Sequence, residues 1–478
     1  MKEKKEIVTN LIYTSIYQFS GILVPLVTMP YVSRILGAAG LGEYSFAYSV
    51  AYYFTIFIKL GLNHYGNRTI AYVRDDKKSL SKTFWEIYVF QLFIGIVLFF
   101  IYLGYVLLFS PQKILGMIMA LLILAACLDV SWCLYGLEKF KVTSVRDTVT
   151  KIIVTICIFC FVKSAEDLWK YALFFSVGTL LNQIVVIPVI MRNISFSRID
   201  LHGVVKHIKP NIVLFIPVIA VSVYRTIDKI MLGIMSTDVE LGLYHGAENV
   251  IRVPMVFVTA LGTVMLPRMS NMLSNGIDSK NIQHMFTKSI EFAMAISSVT
   301  CLGIMTVANE FVPLFYGKGF EKCIYLFYII LPGSMFEAFA NVIRTQYLIP
   351  RKKDKIYITS LLVGASIDIL MNILLIPKLA SIGASIGTVF AYIAVCVTQA
   401  ACVYRELNIK DNVIVSLPYV FSGMAMFVLF RGYNPKVTNE ILRLGIKIGV
   451  SGGFYLVVVS VILFLIKKSR LKSHDCRA

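Results

Sequence analysis

Charge is scarce in this chain. Of its 478 residues only 15% are Asp, Glu, Lys or Arg, against about 25% in an ordinary soluble domain. A soluble core cannot absorb 58% hydrophobic residues when they come in long unbroken runs, so a soluble fold is excluded. Short segments of alternating polarity are missing, which excludes a transmembrane β-barrel. A disulfide framework is missing too. Of nine cysteines, Cys127, Cys133, Cys157, Cys160, Cys301, Cys323, Cys396 and Cys402 sit mostly inside apolar runs, and Cys476 is in the tail. Cys157 and Cys160 form a C-x-x-C within an apolar run, where buried packing thiols are expected rather than a redox pair. The six histidines are scattered with no metal-site spacing. No small-residue cleavage site follows the charged stretch Met1 to Glu6, so the first apolar run is expected to be retained.

Acids are the scarcer sign, 27 against 46 Lys and Arg, for a net charge of +19. Such an excess suits nucleic acid or a membrane surface. The charges lie in loops between apolar runs, which is the pattern of positive-inside topology, so no nucleic-acid partner is expected.

What the chain has is apolar length. Mean hydropathy is +0.76. Many stretches reach about 18 residues with at most one charge, enough to cross about 30 Å of hydrocarbon as a helix. Runs begin near Asn10, Glu43, Phe84, Ile114, Thr148, Leu168, Asn211, Glu248, Phe286, Ile324, Ile356, Ile382, Val413 and Leu444. The expected fold is an all-α integral membrane protein with about fourteen transmembrane helices. Inward loops would include Arg68 to Lys82, Lys139 to Lys151, Arg192 to Lys209, Arg351 to Lys355 and the tail from Lys467. They hold about thirty Lys and Arg against about ten outside, so both termini are expected in the cytoplasm of a bacterial inner membrane. Asp238 and Glu240 fall in an outward loop with no cation of its own.

The two halves repeat. Leu36-Gly37 leads to Leu41-Gly42, Tyr44 and Ala47, as Leu232-Gly233 leads to Leu241-Gly242, Tyr244 and Ala247. Leu60-Gly61 and Arg68 answer Leu261-Gly262 and Arg268. Tyr135, Lys141 and Thr143-Ser144 answer Tyr347, Lys355 and Thr359-Ser360. The offset stays near two hundred residues. This predicts two six-helix lobes, 1–195 and 211–405, related by an axis along the membrane normal. A linker, 196–210, joins them, and two extra helices with a basic tail, 406–478, follow. The linker holds His202, Lys206, His207 and Lys209, and is expected to lie on the anionic inner leaflet.

The segment Leu36-Gly37 to Ala47 resembles the first signature of the Wzx-type polysaccharide flippases, in the multidrug/oligosaccharidyl-lipid/polysaccharide exporter superfamily. So do Asp228 to Gly233, Gly242 to Ala247, Met265-Leu266-Pro267-Arg268, Phe315-Tyr316-Gly317 and Gly383 to Gly387. The resemblance covers nearly the whole chain. It implies two six-helix bundles around a central cavity. It also implies movement of an undecaprenyl-pyrophosphate-linked oligosaccharide from inner to outer leaflet, for capsule, O-antigen or exopolysaccharide biosynthesis. Implied partners are that lipid-linked substrate and membrane lipids, with the polysaccharide polymerase and chain-length machinery as candidates. No cofactor and no catalytic residue are expected.

Ionisable residues within spans cost about 2.5 kcal/mol or more and usually face a cavity or each other. Ser222, Arg225 and Lys229 share a face of the seventh run, with Asp228 beside them. Glu248 precedes Arg252 by one turn, and Thr259 and Thr263 extend that stripe. Glu337, Asn341 and Arg344 share a face of the tenth run, and Asp368 and Asn372 lie on the eleventh. One reading is self-cancelling pairs: Arg225 with Asp228, Glu248 with Arg252, Glu337 with Arg344. The other is a partly cationic, water-filled lumen. There Arg225, Lys229, Arg252, Lys59, Arg344 and Asn341 bind pyrophosphate and sugar, because arginine presents a planar fork to phosphate oxygens. Asp228, Glu248, Glu337, Asp368 and Asp129 would then pair charges or couple an ion. Lys59 sits where it could simply snorkel to the interface. Pro25 and Pro30 in the first run and Pro217 in the seventh hold matching places, as gate or static kink.

Gly383 to Gly387 also matches G-x-S-x-G, but it opens a membrane span rather than a strand-turn-helix, so Ser385 reads as packing. The competing functions are a cation-coupled multidrug exporter, which would favour unpaired acids, and a peptidoglycan-precursor flippase of the same superfamily. A membrane polysaccharide polymerase would need a large external loop, and the outward loops are short.

Overall fold

A computed structural model describes residues 2–198, 200–274 and 279–475; the side chains of 2–19, 22, 224, 225, 274, 279, 467 and 469–475 are not described. All regular structure among the described residues is helical. Two compact units divide the chain, 1–233 and 234–478.

The first unit holds α1 (Lys2–Lys59), α2 (Leu62–Val73), α3 (Lys77–Leu108), α4 (Lys113–Cys127), α5 (Ser131–Gly136), α6 (Phe140–Phe161), α7 (Leu168–Ile184), α8 (Ile187–Met191) and nearly all of α9 (Leu201–Met235). The second holds α10 (Asp238–Ser274), α11 (Ser279–Thr306), α12 (Ala308–Tyr316), α13 (Lys322–Ile343), α14 (Asp354–Leu379), α15 (Ser381–Cys402), α16 (Ile409–Phe430) and α17 (Glu440–Asp475).

Twelve helical stretches among the described residues are long and apolar enough to cross a membrane. The expected count of about fourteen differs by two, for two local reasons. The runs from Asn10 and Glu43 lie on one helix, α1, which continues through α2 as a single apolar stretch from Leu23 to Val73. The run from Thr148 belongs to α6, whose first twelve residues carry Lys141, Arg146, Asp147 and Lys151.

Helix α1 is broken at Gly37 (φ 66°, ψ −179°), a conformation essentially restricted to glycine. Pro25 and Pro30 lie inside the same helix, and Pro217 lies inside α9. Helix α3 starts at a cap. Asp76 accepts the Lys78 and Ser79 amides at 3.1 and 3.2 Å and the Ser79 hydroxyl at 2.5 Å. The hydroxyl first, then the two amides, hold its carboxyl below the usual range.

Two turns, one in each unit, share a backbone geometry. At the turn into α6, Glu138 has φ 57° and the Lys139 amide donates to Leu134 O at 2.9 Å. At the turn into α14, Lys352 has φ 55° and the Lys353 amide donates to Leu348 O at 2.9 Å.

Among the described residues, two apolar clusters lie in the first unit. One gathers Tyr44, Ile58, Tyr102, Met119, Ile123 and Cys127 from α1, α3 and α4. The other gathers Tyr65, Phe84, Trp132 and Ile190 from α2, α3, α5 and α8. In the second unit Tyr316, Phe320 and Phe327 are fully buried. Helices α16 and α17 belong to this unit: Tyr455 shares a 2.8 Å hydroxyl contact with Ser298, and Lys447 donates to Glu310 at 2.7 Å.

Two sequence expectations need correction. His207 is buried instead of lying on the leaflet, because Tyr65 and Glu86 offer it a phenol at 2.6 Å and a carboxylate at 3.3 Å. Its neighbours His202, Lys206 and Lys209 are exposed. The thiols of the C-x-x-C are not buried: Cys157 is half-buried and Cys160 exposed, both free, on the apolar outer face of α6 with Ile153 and Ile156.

Candidate functional site: charges within the spans

The intramembrane charges fall into separate clusters within each unit. In the first, Lys59 ends α1 and forms an ion pair with Asp129, which follows α4. Asp129 is buried and also accepts the Ser131 amide at 3.0 Å. Two residues assigned separately from sequence therefore meet. Gln91 on α3 fixes this break between α4 and α5. It donates to Ala126 O and Asp129 O at 2.8 and 3.0 Å and accepts from the Trp132 indole at 3.0 Å. A buried amide with every donor used holds a helix break rigid.

A second network joins α5, α6 and α7. The Arg146 guanidinium reaches Asp147 at 3.0 Å, Gln183 at 3.3 Å and Ser131 at 3.2 Å, and Asn182 donates to Asp147 at 2.6 Å. It explains why α6 carries charge within a bundle. Sequence reading placed Arg146 and Asp147 in a loop and missed it; their adjacency to an apolar run was the available signal.

On α9, Asp228 and Lys229 are both buried, and both are engaged with neighbours. The Arg225 side chain lies outside the described residues.

In the second unit, Arg344 donates to Glu337 at 3.1 Å, two turns earlier on α13, and both are buried. A π-helical turn, Arg344–Leu348, follows, and such turns re-aim side chains at sites of strain or function. The guanidinium also lies 5.7 Å from the Tyr357 ring centroid. Asn341 is buried, and its Oδ1 lies 3.3 Å from where a side chain on Gly262 would begin. Asp368 and Asn372 are fully buried on α14. They pack so near α15 that a Cβ on Gly387 would sit 2.5 Å from Asn372 Oδ1 and 3.2 Å from Asp368 Oδ1. Helices α14 and α15 thus approach closely because Gly387 has no side chain.

Arg252 differs from the rest. Its guanidinium lies 3.5 Å from Glu248, and its side chain is 65% exposed on a helix long and apolar enough to cross a membrane. A guanidinium so placed needs water or an anion beside it rather than lipid.

Two further clusters were not foreseen. Glu240 accepts Lys322 at 2.7 Å and also the Ser381 amide at 3.2 Å, so the cation missing from its own loop comes from α13. Lys447, fully buried on α17, donates to Glu310 and to Arg431 O. A lone lysine in the last apolar run was its only sequence signal.

Comparison with known proteins places the chain in a family. A family model described as "Polysaccharide biosynthesis protein" matches residues 7–273, more than half the chain. An Escherichia coli K12 protein, provisionally named an O-antigen transporter, is 24% identical over 393 residues, covering 80% of this chain and 92% of that one. A protein of Haloferax volcanii, named as a probable low-salt glycan biosynthesis flippase, is 22% identical over 226 residues, covering 47% of this chain and 48% of that one. Among solved structures, the lipid II flippase MurJ in an inward closed conformation superposes with a TM-score of 0.76 at 15% identity, covering 96% and 99% of the two chains. At that identity it shows the fold alone.

Proposed function

Because this chain belongs to the polysaccharide biosynthesis protein family, a family of membrane transporters and not of enzymes, we propose that it flips a lipid-linked glycan. The cargo in this reading is an undecaprenyl-pyrophosphate-linked oligosaccharide, moved from the inner to the outer leaflet of the bacterial cytoplasmic membrane by alternating access. Fourteen crossings belong to the proposal: Gly37 divides α1 into two, and α6, at 22 residues, is long enough to cross. Both termini are then cytoplasmic, with six crossings to each repeat and two from α16 and α17.

The observation that carries the reading is Arg252, a largely exposed guanidinium midway along a span. A planar fork matches the oxygens of a diphosphate. A cation exporter would instead need unpaired acids, and Asp129, Glu248 and Glu337 each have a basic partner.

Deleting the gene should cause a lipid-linked glycan to accumulate in the inner leaflet. Arg252→Ala should abolish or sharply reduce export at normal expression, Arg252→Lys should retain part of it, and Arg225→Ala is expected to follow Arg252→Ala. Normal glycan export by both alanine variants would remove the cationic site from the mechanism.

A further inference from the structure

Where α10 ends and α11 begins, a groove of about 520 Å³ is lined by Arg268, Asn271, Met272, Asn281, His284 and Met285. Its floor is the cluster of Met265, Met269 and Ile282, packed with Leu261 and Leu273. Thioethers make a soft apolar floor that adapts to irregular ligands. The rim is polar and carries one permanent cation, Arg268. Near His284 on α11, Lys288 pairs with Glu291 one turn further on; neither Arg268 nor His284 forms a salt bridge among the described residues.

The sequence repeat pairs this place with one in the first unit. By the repeat, Arg268 answers Arg68, and the α10–α11 end answers α2 and the start of α3. There His207 of α9 bridges Tyr65 on α2 and Glu86 on α3, and Gly203 packs directly on the Glu86 carboxylate. An imidazole from the chain bridges the two helices of the first unit. The second unit presents its own arginine and imidazole to a groove large enough for a ligand.

We propose that the α10–α11 groove binds the diphosphate of a polyprenyl diphosphate lipid. The Arg268 fork takes the phosphate oxygens, the His284, Asn271 and Asn281 N–H groups add donors, and the methionine floor receives the first apolar part of the lipid. The inference rests on the flippase reading and on Arg268 facing the cytoplasm. It names where that substrate is first held.

Full-length protein in detergent is titrated with undecaprenyl diphosphate, with phosphatidylglycerol and with inorganic diphosphate, and ligand-induced thermal shift reads the affinity. Arg268→Ala should weaken undecaprenyl diphosphate binding by about tenfold, as expected for losing one charge-assisted contact. Arg268→Lys should lose less, and His284→Ala should weaken binding by about threefold. Lys410→Ala, an exposed site on α16, should match wild type. Unchanged affinity in Arg268→Ala, with a normal elution profile, overturns the groove while leaving the flippase reading intact. An equal loss for phosphatidylglycerol overturns it in favour of a headgroup site, and an equal loss for inorganic diphosphate in favour of a soluble-anion site. Wild type that binds undecaprenyl diphosphate in no condition overturns the flippase reading as well.

Discussion

The two units solve one turn in the same way and another in opposite ways. At the turns into α6 and α14, Glu138 and Lys352 take the same left-handed backbone, closed by the same five-residue-back amide bond. At the turns into α7 and α15 the devices differ. In the first unit Asp167 closes its own turn, accepting the Lys163 and Ser164 amides at 2.8 and 3.0 Å and pairing with Lys170 at 2.6 Å. In the second, Ala380 sits at φ 51°, and Ser381 is capped by Glu240, which comes from α10 and is held by Lys322 of α13. One unit uses a local cap and the other a contact between distant helices. A repeat preserves backbone path more readily than side-chain chemistry, since the path is fixed by sterics and the cap can be supplied from any direction.

The polar interiors differ in the same sense, and the largest expected effect tests that. Glu337 and Arg344 are both buried, whereas Lys59 is about one-third exposed beside Asp129. Glu337→Ala strands a buried guanidinium and should cost about 3–5 kcal/mol, while replacing both partners with methionine should recover most of it. Asp129→Ala should cost clearly less, because Lys59 can turn to water. Thermal midpoints of detergent-solubilised variants, read by size-exclusion fluorescence, check this. Equal losses would mean that the two interiors are alike after all.

The next contrast is one that the sequence hides. Leu36-Gly37 and Leu232-Gly233 match in the repeat, yet the glycines serve different ends. Gly37 is required by its backbone, with no neighbour within 4 Å of a would-be Cβ. Gly233 is required by space, since a Cβ would lie 2.3 Å from the Phe46 ring. Both alanine variants should lose about 1–3 kcal/mol. Phe46→Ala should largely suppress the defect of Gly233→Ala and leave that of Gly37→Ala unchanged. Suppression of both, or of neither, would break the distinction.

The membrane class and the helical fold were legible because each is written in periodicity or composition. Run lengths set by bilayer thickness do not depend on tertiary contacts. The crossing count was less legible, because a helix that bends at Gly37 and a helix that carries Arg146 and Asp147 blur the two signals used to count. Pairings were legible only when both partners share a helix, as with Glu248 and Arg252. Lys59 with Asp129, His207 with Tyr65 and Glu86, and Glu240 with Lys322 join residues far apart in sequence, and spacing rules are blind to them. Within the candidate site, Asp368 and Asn372 were placed correctly on one helix, but their packing against Gly387 became visible only in three dimensions.

A smaller effect separates the caps. Glu240→Ala removes the acceptor of Ser381 and the partner of Lys322, and should cost about 1 kcal/mol. It should also make Ala380→Gly more stabilising, since an uncapped turn depends more on backbone freedom. Asp167→Ala should show no such coupling to Ala380. A double-mutant cycle of melting temperatures decides it, and additivity in the first cycle would mean that Glu240 does not support that turn.

The smallest effect concerns the turns that are the same. Glu138 and Lys352 hold a left-handed backbone that glycine adopts without the steric penalty of a Cβ. Glycine also enlarges the unfolded ensemble, which offsets the relief, so Lys352→Gly should change stability by less than about 1 kcal/mol. Glu138→Gly should fare worse than Lys352→Gly, because it also removes the carboxylate that Arg74 contacts at 2.6 Å. If the backbones are equivalent, that ion pair is the whole difference. In an Arg74→Ala background the two glycine variants should therefore shift the melting temperature equally. A residual gap in that background would show that the two turns differ in strain despite their matching dihedral angles, and the structural repeat would then end short of these turns.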